Sequence, residues 1–257
     1  SSISDIVDHM SIKQRAYPEP GAQTDALLMH FNHARYVYNI GLEQRNLNDK
    51  TQRSRGIRVN AATQQQELTD ARREFAWLRK GSTVVQQGAL RDLDRAFVNF
   101  FKGHADYPTF RRRSSKQSFV IRDFSVRRYN RKWAAVLVPK AGWLKFRVTR
   151  AWTEIEAGTS ARVSLRHGQW FVSITTPPAP KREGGRGAVG LDRGVAVSVM
   201  SSDGEMFKSP SLTEGEQKRW LKLERRISRC AKKSARRERA KEELGALRRA
   251  LNNRRTD

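Results

Sequence analysis

Cysteine is nearly absent from this chain: Cys230 stands alone among 257 residues. One thiol excludes an internal disulfide, and no Cys/His cluster offers zinc-ligand spacing. That usage fits a reducing, cytosolic compartment. Long apolar runs are also missing, which excludes a helical membrane span, and no signal peptide is visible. Acidic residues are scarce. Twenty-six Asp and Glu face fifty-one Lys and Arg, a formal net charge of +25. Such an imbalance points to a polyanionic partner, and nucleic acid is favoured over a membrane surface or a ribosome-like structural role. Six Trp and eleven Phe supply apolar mass enough to argue against simple disorder.

What is present falls into blocks. Residues 1–9 resemble nothing and read as an arm or an upstream segment. The alternation in Ile12-Lys13-Gln14-Arg15-Ala16-Tyr17 predicts a short strand, stopped by Pro18-Glu19-Pro20. Leu27, Leu28, Phe31, Ala34, Val37, Tyr38 and Leu42 recur at three and four residues, so a helix is predicted from Asp25 to about Leu47. A second helix is predicted over 61–78. A third starts after the N-cap Ser82, with Phe97, Phe100 and Phe101 assigned to core packing. After Gly103 the texture turns to short strands, over 119–121, 133–138, 144–148, 161–165 and 170–174, separated by Asn-, Gly- and Pro-bearing turns, an all-β barrel signature. The first strand is too short to stand alone, so it is expected to join this barrel, with the helices inserted between.

Beyond Pro177-Pro178-Ala179-Pro180 and a Gly-bearing linker at 181–186, the run Gly187-Ala188-Val189-Gly190-Leu191-Asp192-Arg193-Gly194-Val195-Ala196-Val197 is apolar but for Asp192 and Arg193. A hairpin turn, Ser201-Ser202-Asp203-Gly204-Glu205, follows, and then Met206-Phe207. A carboxylate in such a strand is costly to bury uncompensated. It reads either as a strand-end group bonding a nearby turn or as a ligand for a hard divalent cation, and spacing does not choose between them. Two basic amphipathic helices are predicted beyond, bent near Lys232-Lys233-Ser234. Between Gln217 and Asp257 sixteen bases meet five acids. Arg225, Arg229, Lys232, Lys233, Arg236 and Arg237 are therefore candidate phosphate contacts, the alternative being a solvated face with intrahelical pairs. Asn252 to Asp257 carries no C-cap glycine, so the last helix reads as cut rather than finished.

Two further basic clusters are interleaved with aromatics. Arg111, Arg112, Arg113 and Lys116 lie beside Phe110, and Arg127, Arg128, Arg131 and Lys132 surround Tyr129. Such clusters suit phosphate contact and base stacking on a folded RNA, whereas any single Arg is an ordinary solvated residue. Thr83 and Gln87 lie one turn apart on the third predicted helix. Gln can bond an adenine edge in the major groove, though both residues equally fit a solvent face.

The block Val189-Gly190-Leu191-Asp192-Arg193-Gly194-Val195 with Ser202-Asp203-Gly204 resembles the first RuvC motif of the OrfB/TnpB insertion-sequence proteins, ancestral to type V CRISPR effectors. Arg15-Ala16-Tyr17-Pro18 leading to Ala34-Arg35-Tyr36-Val37-Tyr38-Asn39, then Tyr107-Pro108-Thr109-Phe110-Arg111-Arg112, then Gly142-Trp143-Leu144-Lys145, match further family motifs in order. The resemblance implies an α+β multidomain chain. Residues 1–20 and 104–180 would form a wedge-like β-barrel and 21–103 an inserted helical recognition lobe. Residues 187–257 would begin an incomplete RNase H-like (RuvC) α/β domain.

It implies an RNA-guided DNA endonuclease, often labelled transposase. Its partners would be a guide RNA from the transposon end and a target DNA with a short flanking motif near Thr83 and Gln87. It would work in the cytoplasm of a prokaryote, associated with the nucleoid. Asp192 would be both the catalytic carboxylate and a Mg²⁺ ligand, with Mg²⁺ held only if the second and third RuvC motifs complete the site. Those motifs and the family's four-cysteine zinc ribbon are absent here, so no zinc is expected in this portion. A nuclease-deficient RNA-guided DNA-binding protein or repressor, or an inactive truncated reading frame, is the alternative.

Overall fold

The computed structural model describes residues 10–51, 59–113, 117–166, 168–177, 190–192 and 199–256. The 181–186 linker and Lys116 lie outside them. The chain divides into two compact units, Ser1–Ala179 and Pro180–Asp257.

In the first unit the strand β1 (Met10–Tyr17) runs at the centre of a seven-stranded antiparallel sheet, although it comes first in the chain. The order is β2-β6-β7-β1-β5-β4-β3, with β2 (Gln117–Ile121), β3 (Val126–Arg128), β4 (Trp133–Val138), β5 (Gly142–Arg147), β6 (Ser160–Arg166) and β7 (Gln169–Thr176). β1 pairs β7 from Met10↔Thr176 to Ala16↔Trp170 and β5 through Ala16↔Phe146. Four helices lie in sequence between β1 and β2: α1 (Ala22–Thr51), α2 (Ala61–Glu74), α3 (Ala76–Lys80) and α4 (Thr83–Phe101). A short α5 (Trp152–Glu156) precedes β6. The strands β2, β4, β5, β6 and β7 match the sequence reading closely, whereas β3 and α5 carry no periodic signal long enough to read.

Helices and sheet share one core. Leu27, Phe31, Ala34, Tyr38 and Leu42 of α1 are buried with Leu90, Leu93 and Phe97 of α4 and with Phe119, Phe146, Val163 and Ile174 of the sheet. The Phe31 ring lies 5.3 Å from that of Phe119 and stacks at 5.4 Å on Trp170. Burying this much apolar surface is what holds the helices, since short helices are marginal alone. Leu28, read from its spacing as part of the buried stripe, is exposed. Phe101 is corrected as well: it is 75% exposed and only leans on Phe97 and Phe100.

The single helix expected over 61–78 is two. At Phe75 the backbone turns extended (φ −97°, ψ 109°), and α3 starts anew. A polar network closes the corner. Arg72 Nη1 donates to Leu78 O at 2.7 Å and to Gln86 Oε1, and Gln86 Nε2 donates to Leu78 O at 2.9 Å and faces His33 Nδ1 at 3.2 Å. Gln86 is fully buried, and so is Gln64, which reaches Gly41 O at 2.8 Å. Satisfied buried amides of this kind fix one helix arrangement over others.

The histidines of α1 make the unit acid-sensitive. His30 Nε2 donates to Pro139 O at 2.8 Å, while its buried Nδ1 has no hydrogen-bond partner. Burial holds the His30 ring below the ordinary histidine pKa; the Pro139 bond opposes this and the Lys140 charge adds to it. Burial also lowers His33, helped by the charges of His30, Arg72 and Lys140. Both rings are thus folded in neutral form. The unfolded chain takes up protons near pH 6.5 and the folded chain only lower. Stability is therefore complete above about pH 6.5 and falls as pH drops through it. Urea midpoints at about pH 8 and about pH 5 should differ in that sense, and His30→Phe should shrink the difference.

The second unit holds a three-stranded antiparallel sheet in the order β10-β9-β8: β8 (Leu191–Asp192), β9 (Val199–Ser201) and β10 (Met206–Phe207). Gly204 adopts φ +84° in the β9–β10 turn, a conformation glycine takes without penalty. Two helices follow, α6 (Glu214–Arg229) and α7 (Ala235–Thr256). Leu223, Ala240, Leu244 and Leu247 form their buried seam, flanked by Trp220 and Ile227. Thr213 and Glu216 make a capping box at the start of α6. Glu216 also accepts two 2.8 Å bonds from Arg254 Nη2, tying that end to the end of α7.

Candidate nucleic-acid interface

Strand alternation sorts the sheet of the first unit into two faces. Ile12, Gln14 and Ala16 of β1 point into the core with Leu144 and Phe146 of β5. Lys13, Arg15 and Tyr17 therefore point out, with Trp143, Lys145 and Arg147. The register lines up Tyr17, Lys145, Ala135 and Arg127 across four strands. Cations and rings alternate on this face. Lys13 Nζ lies 4.0 Å from the Phe171 ring centroid, Lys145 Nζ 4.6 Å from Trp133, and the Arg127 guanidinium 4.7 Å from Trp143. Tyr17 meets Trp133 edge-on at 5.2 Å.

Among the described residues no carboxylate pairs with Lys13, Arg127, Lys145 or Arg147. Burial and the neighbouring Arg166 charge hold the Lys13 amine below the usual lysine range. A face of cations beside aromatic rings can contact phosphates and stack unpaired bases together.

The candidates from sequence divide against this geometry. Arg127 sits in the platform. Arg128 is exposed and leans toward Trp152 at 5.4 Å, while Arg131 and Lys132 are exposed in the β3–β4 turn, which Asn130 Oδ1 holds by accepting from Lys132 N and Trp133 N. Arg111 is different. Its guanidinium is 3.7 Å from the Tyr38 ring centroid and 3.4 Å from Asp92 Oδ2, and its backbone is bonded on both sides to Asn39. Arg111 therefore braces the fold rather than a free phosphate surface. Arg112 and Arg113 are exposed. Thr83 is exposed on the first turn of α4, and Gln87 lies half-buried one turn on.

In the second unit Arg225, Arg229 and Arg236 line an open groove of about 690 Å³ with Lys218, Lys222 and Arg226. Lys232 and Lys233 are exposed in the α6–α7 turn, where Lys233 adopts φ 70°. Arg237 turns back to cap α6, donating to Ile227 O and, at 3.1 Å, to Cys230 O, so its charge is spent on helix termination. Asp192 is exposed at the end of β8, paired with Met200.

With the fold and its basic surfaces in hand, two curated relatives can be set beside it. The chain is 29% identical over 245 residues, 93% of its length, to the putative RNA-guided DNA endonuclease InsQ of Escherichia coli (strain K12). It is 32% identical over 255 residues, 96% of its length, to a putative RNA-guided DNA endonuclease of Streptomyces pristinaespiralis. The resemblance drawn from the motifs holds. The chain spans about three fifths of those relatives, 59% and 61% respectively. No protein-family model matches it. The cryo-EM structure of a Cas12f1–sgRNA–target DNA complex shares its fold, with a TM-score of 0.53 at 14% identity over 91% of this chain and 59% of that one.

The Mg²⁺ expectation, which depends on a completed site, turns on the donor set. Two-ion phosphoryl chemistry needs several converging carboxylates. Among the described residues no group of three or more His, Cys, Asp or Glu could hold a metal ion. Asp192, Asp203 and Glu205 are each exposed. Among the described residues no helix is long and apolar enough to cross a membrane.

Most of the platform is missing from the sequence reading, which places Lys13, Arg15, Tyr17, Trp133, Lys145, Arg147 and Phe171 in strands, and Trp143 in a motif, but not on a common surface. A signal does exist: on β1 and β5 the residues between the core positions are all cationic or aromatic, where a merely solvated face would mix signs and small polars.

Proposed function

We propose that this chain is the guide-RNA-binding part of a TnpB-like RNA-guided DNA endonuclease, acting in the cytoplasm on nucleoid DNA. The observation that carries it is the outward face of β1, β3, β4 and β5, where cations alternate with aromatic rings. In this reading the seven-stranded sheet is a wedge-like barrel and α1–α4 its inserted recognition lobe. The second unit opens an RNase H-like nuclease domain whose basic helices track the backbone. The guide reads target sequence by base pairing, and the protein reads only a short flanking motif through the exposed start of α4. The lone carboxylate Asp192 favours a second reading for the chain by itself, that of a nucleic-acid binder without cleavage.

The test is salt. Each phosphate neutralised contributes about −0.7 to −0.9 to the slope of log affinity against log salt, so binding of a structured RNA should show a slope of several units. Trp133→Ala should weaken binding by about 1–3 kcal/mol with little change in slope, because stacking is not ionic. A slope near zero for the parent chain would overturn the reading.

A further inference from the structure

A second basic site lies in the first unit, beginning one turn along α4 from Gln87. A groove of about 530 Å³ runs between α4, the end of β2 and the β6–β7 edge. Arg91 and Arg95 reach it from successive turns of α4, Arg122 from the residue after β2, and Arg162 from β6. Ser11, Ser160 and Thr175 add hydroxyls to its walls. α4 packs on β2 at this point, where a Cβ on Gly88 would make an ordinary contact with Val120 O at 3.4 Å.

The charge in this groove is unbalanced. Its one carboxylate, Asp92, is taken up by Arg162 at 2.8 Å and by Arg111 at 3.4 Å. Among the described residues no ion pair involves Arg91, Arg95 or Arg122. Arg91 and Arg95 are like charges one helical turn apart, an arrangement that costs stability by itself. Arg122 feels both: burial and then the charges of Arg91 and Arg95 hold it below the usual arginine range, against a weaker pull from Asp92. Three guanidinium groups converging from two elements match the oxygens of a tetrahedral anion, which arginine grips through two parallel bonds.

We propose that the α4–β2–β6 groove is a phosphodiester site, with Arg91, Arg95 and Arg122 gripping the backbone of a bound nucleic-acid strand and Asp92 holding Arg162 in its wall. This rests on the nucleic-acid reading above, and it adds a second contact surface in the first unit to the aromatic platform. The groove carries no exposed ring, so it holds backbone and reads no base.

The experiment uses the full chain with Arg91→Gln, Arg95→Gln and Arg122→Gln, singly and together. Fluorescence anisotropy follows binding to a labelled RNA hairpin and, separately, to duplex DNA, from about 50 to 200 mM salt. Each single variant should flatten the log–log slope by about 0.7–0.9 and the triple variant by about two to three units. The thermal midpoint should hold or rise, because like charges are removed, so weaker binding is not misfolding. Arg91→Lys, Arg95→Lys and Arg122→Lys together should recover the slope. A change confined to the RNA arm or to the DNA arm assigns the strand. An unchanged slope in the triple Gln variant, alongside a steep parent slope that falls in Arg127→Gln on the platform, overturns this site and leaves the wider reading standing. A flat parent slope in both arms removes the wider reading itself.

Discussion

Asp92→Ala is expected to lower the unfolding free energy by about 3 kcal/mol, the low end of the loss incurred when one partner of a buried ion cluster is removed. Asp92 lies on α4 but joins three parts of the first unit. Its Oδ1 accepts from Arg162 Nη2 of β6 at 2.8 Å, and its Oδ2 from Arg162 Nη1 at 3.1 Å and Arg111 Nη2 at 3.4 Å. Burial raises the carboxyl pKa, but the bonds and charges of Arg162 and Arg111 together outweigh it and hold it below the usual carboxylate range. A depressed folded pKa adds stability that is present above about pH 4 and lost as pH falls below it. The Ala variant leaves two guanidinium groups without their counter-charge, each only about a third exposed. Partial hydration of those groups is why the low end is expected. Asp92→Asn, which keeps one acceptor oxygen, should cost less. Urea titration at neutral pH measures both, and a loss under about 1 kcal/mol for Asp92→Ala would show that the cluster is solvated rather than structural.

Sequence periodicity carries the framework well where one face is buried and the other is not. The alternation over Ile12 to Tyr17 and over β4 to β7 names the strands because most of their core positions are apolar. The spacing of Trp220, Leu223, Ile227 and Leu244, Leu247 names the two basic helices and the bend between them, because one apolar seam serves both. The break at Phe75 is not legible, since it depends on Arg72 reaching the carbonyls of a later turn. The fates of Arg111 and Arg237 are hidden for the same reason. A basic residue in a cluster looks the same in sequence whether it faces phosphate, caps a helix or pairs a carboxylate on a distant element. Arg91, Arg95 and Arg122 escape notice because two sit among apolar helix positions and one follows a strand, so no run of bases marks them. Motif order is the stronger guide to family, because four short blocks in register constrain the chain where any one block does not.

No divalent-cation-dependent cleavage of guide-matched DNA is expected from the 257-residue chain. The reason is the donor set. An in-line displacement clamped by two ions needs carboxylates from several strands around one phosphate, and among the described residues Asp192 on β8 is exposed and belongs to no group of three potential ligands. A longer chain carrying the remaining family segments should cut, and Asp192→Ala in that longer chain should bring cutting down to background. RNA affinity should stay unchanged in the same variant. Asp192 belongs to the second unit, whereas the platform of Tyr17, Trp133, Trp143 and Lys145 belongs to the first, and removing one surface carboxylate subtracts no cation from either basic surface. The pairing of the two readouts is what gives the test its force: cleavage reports the carboxylate, and the salt slope reports the cations. Robust cutting by the 257-residue chain, or by the longer Asp192→Ala chain, would place the chemistry on other residues.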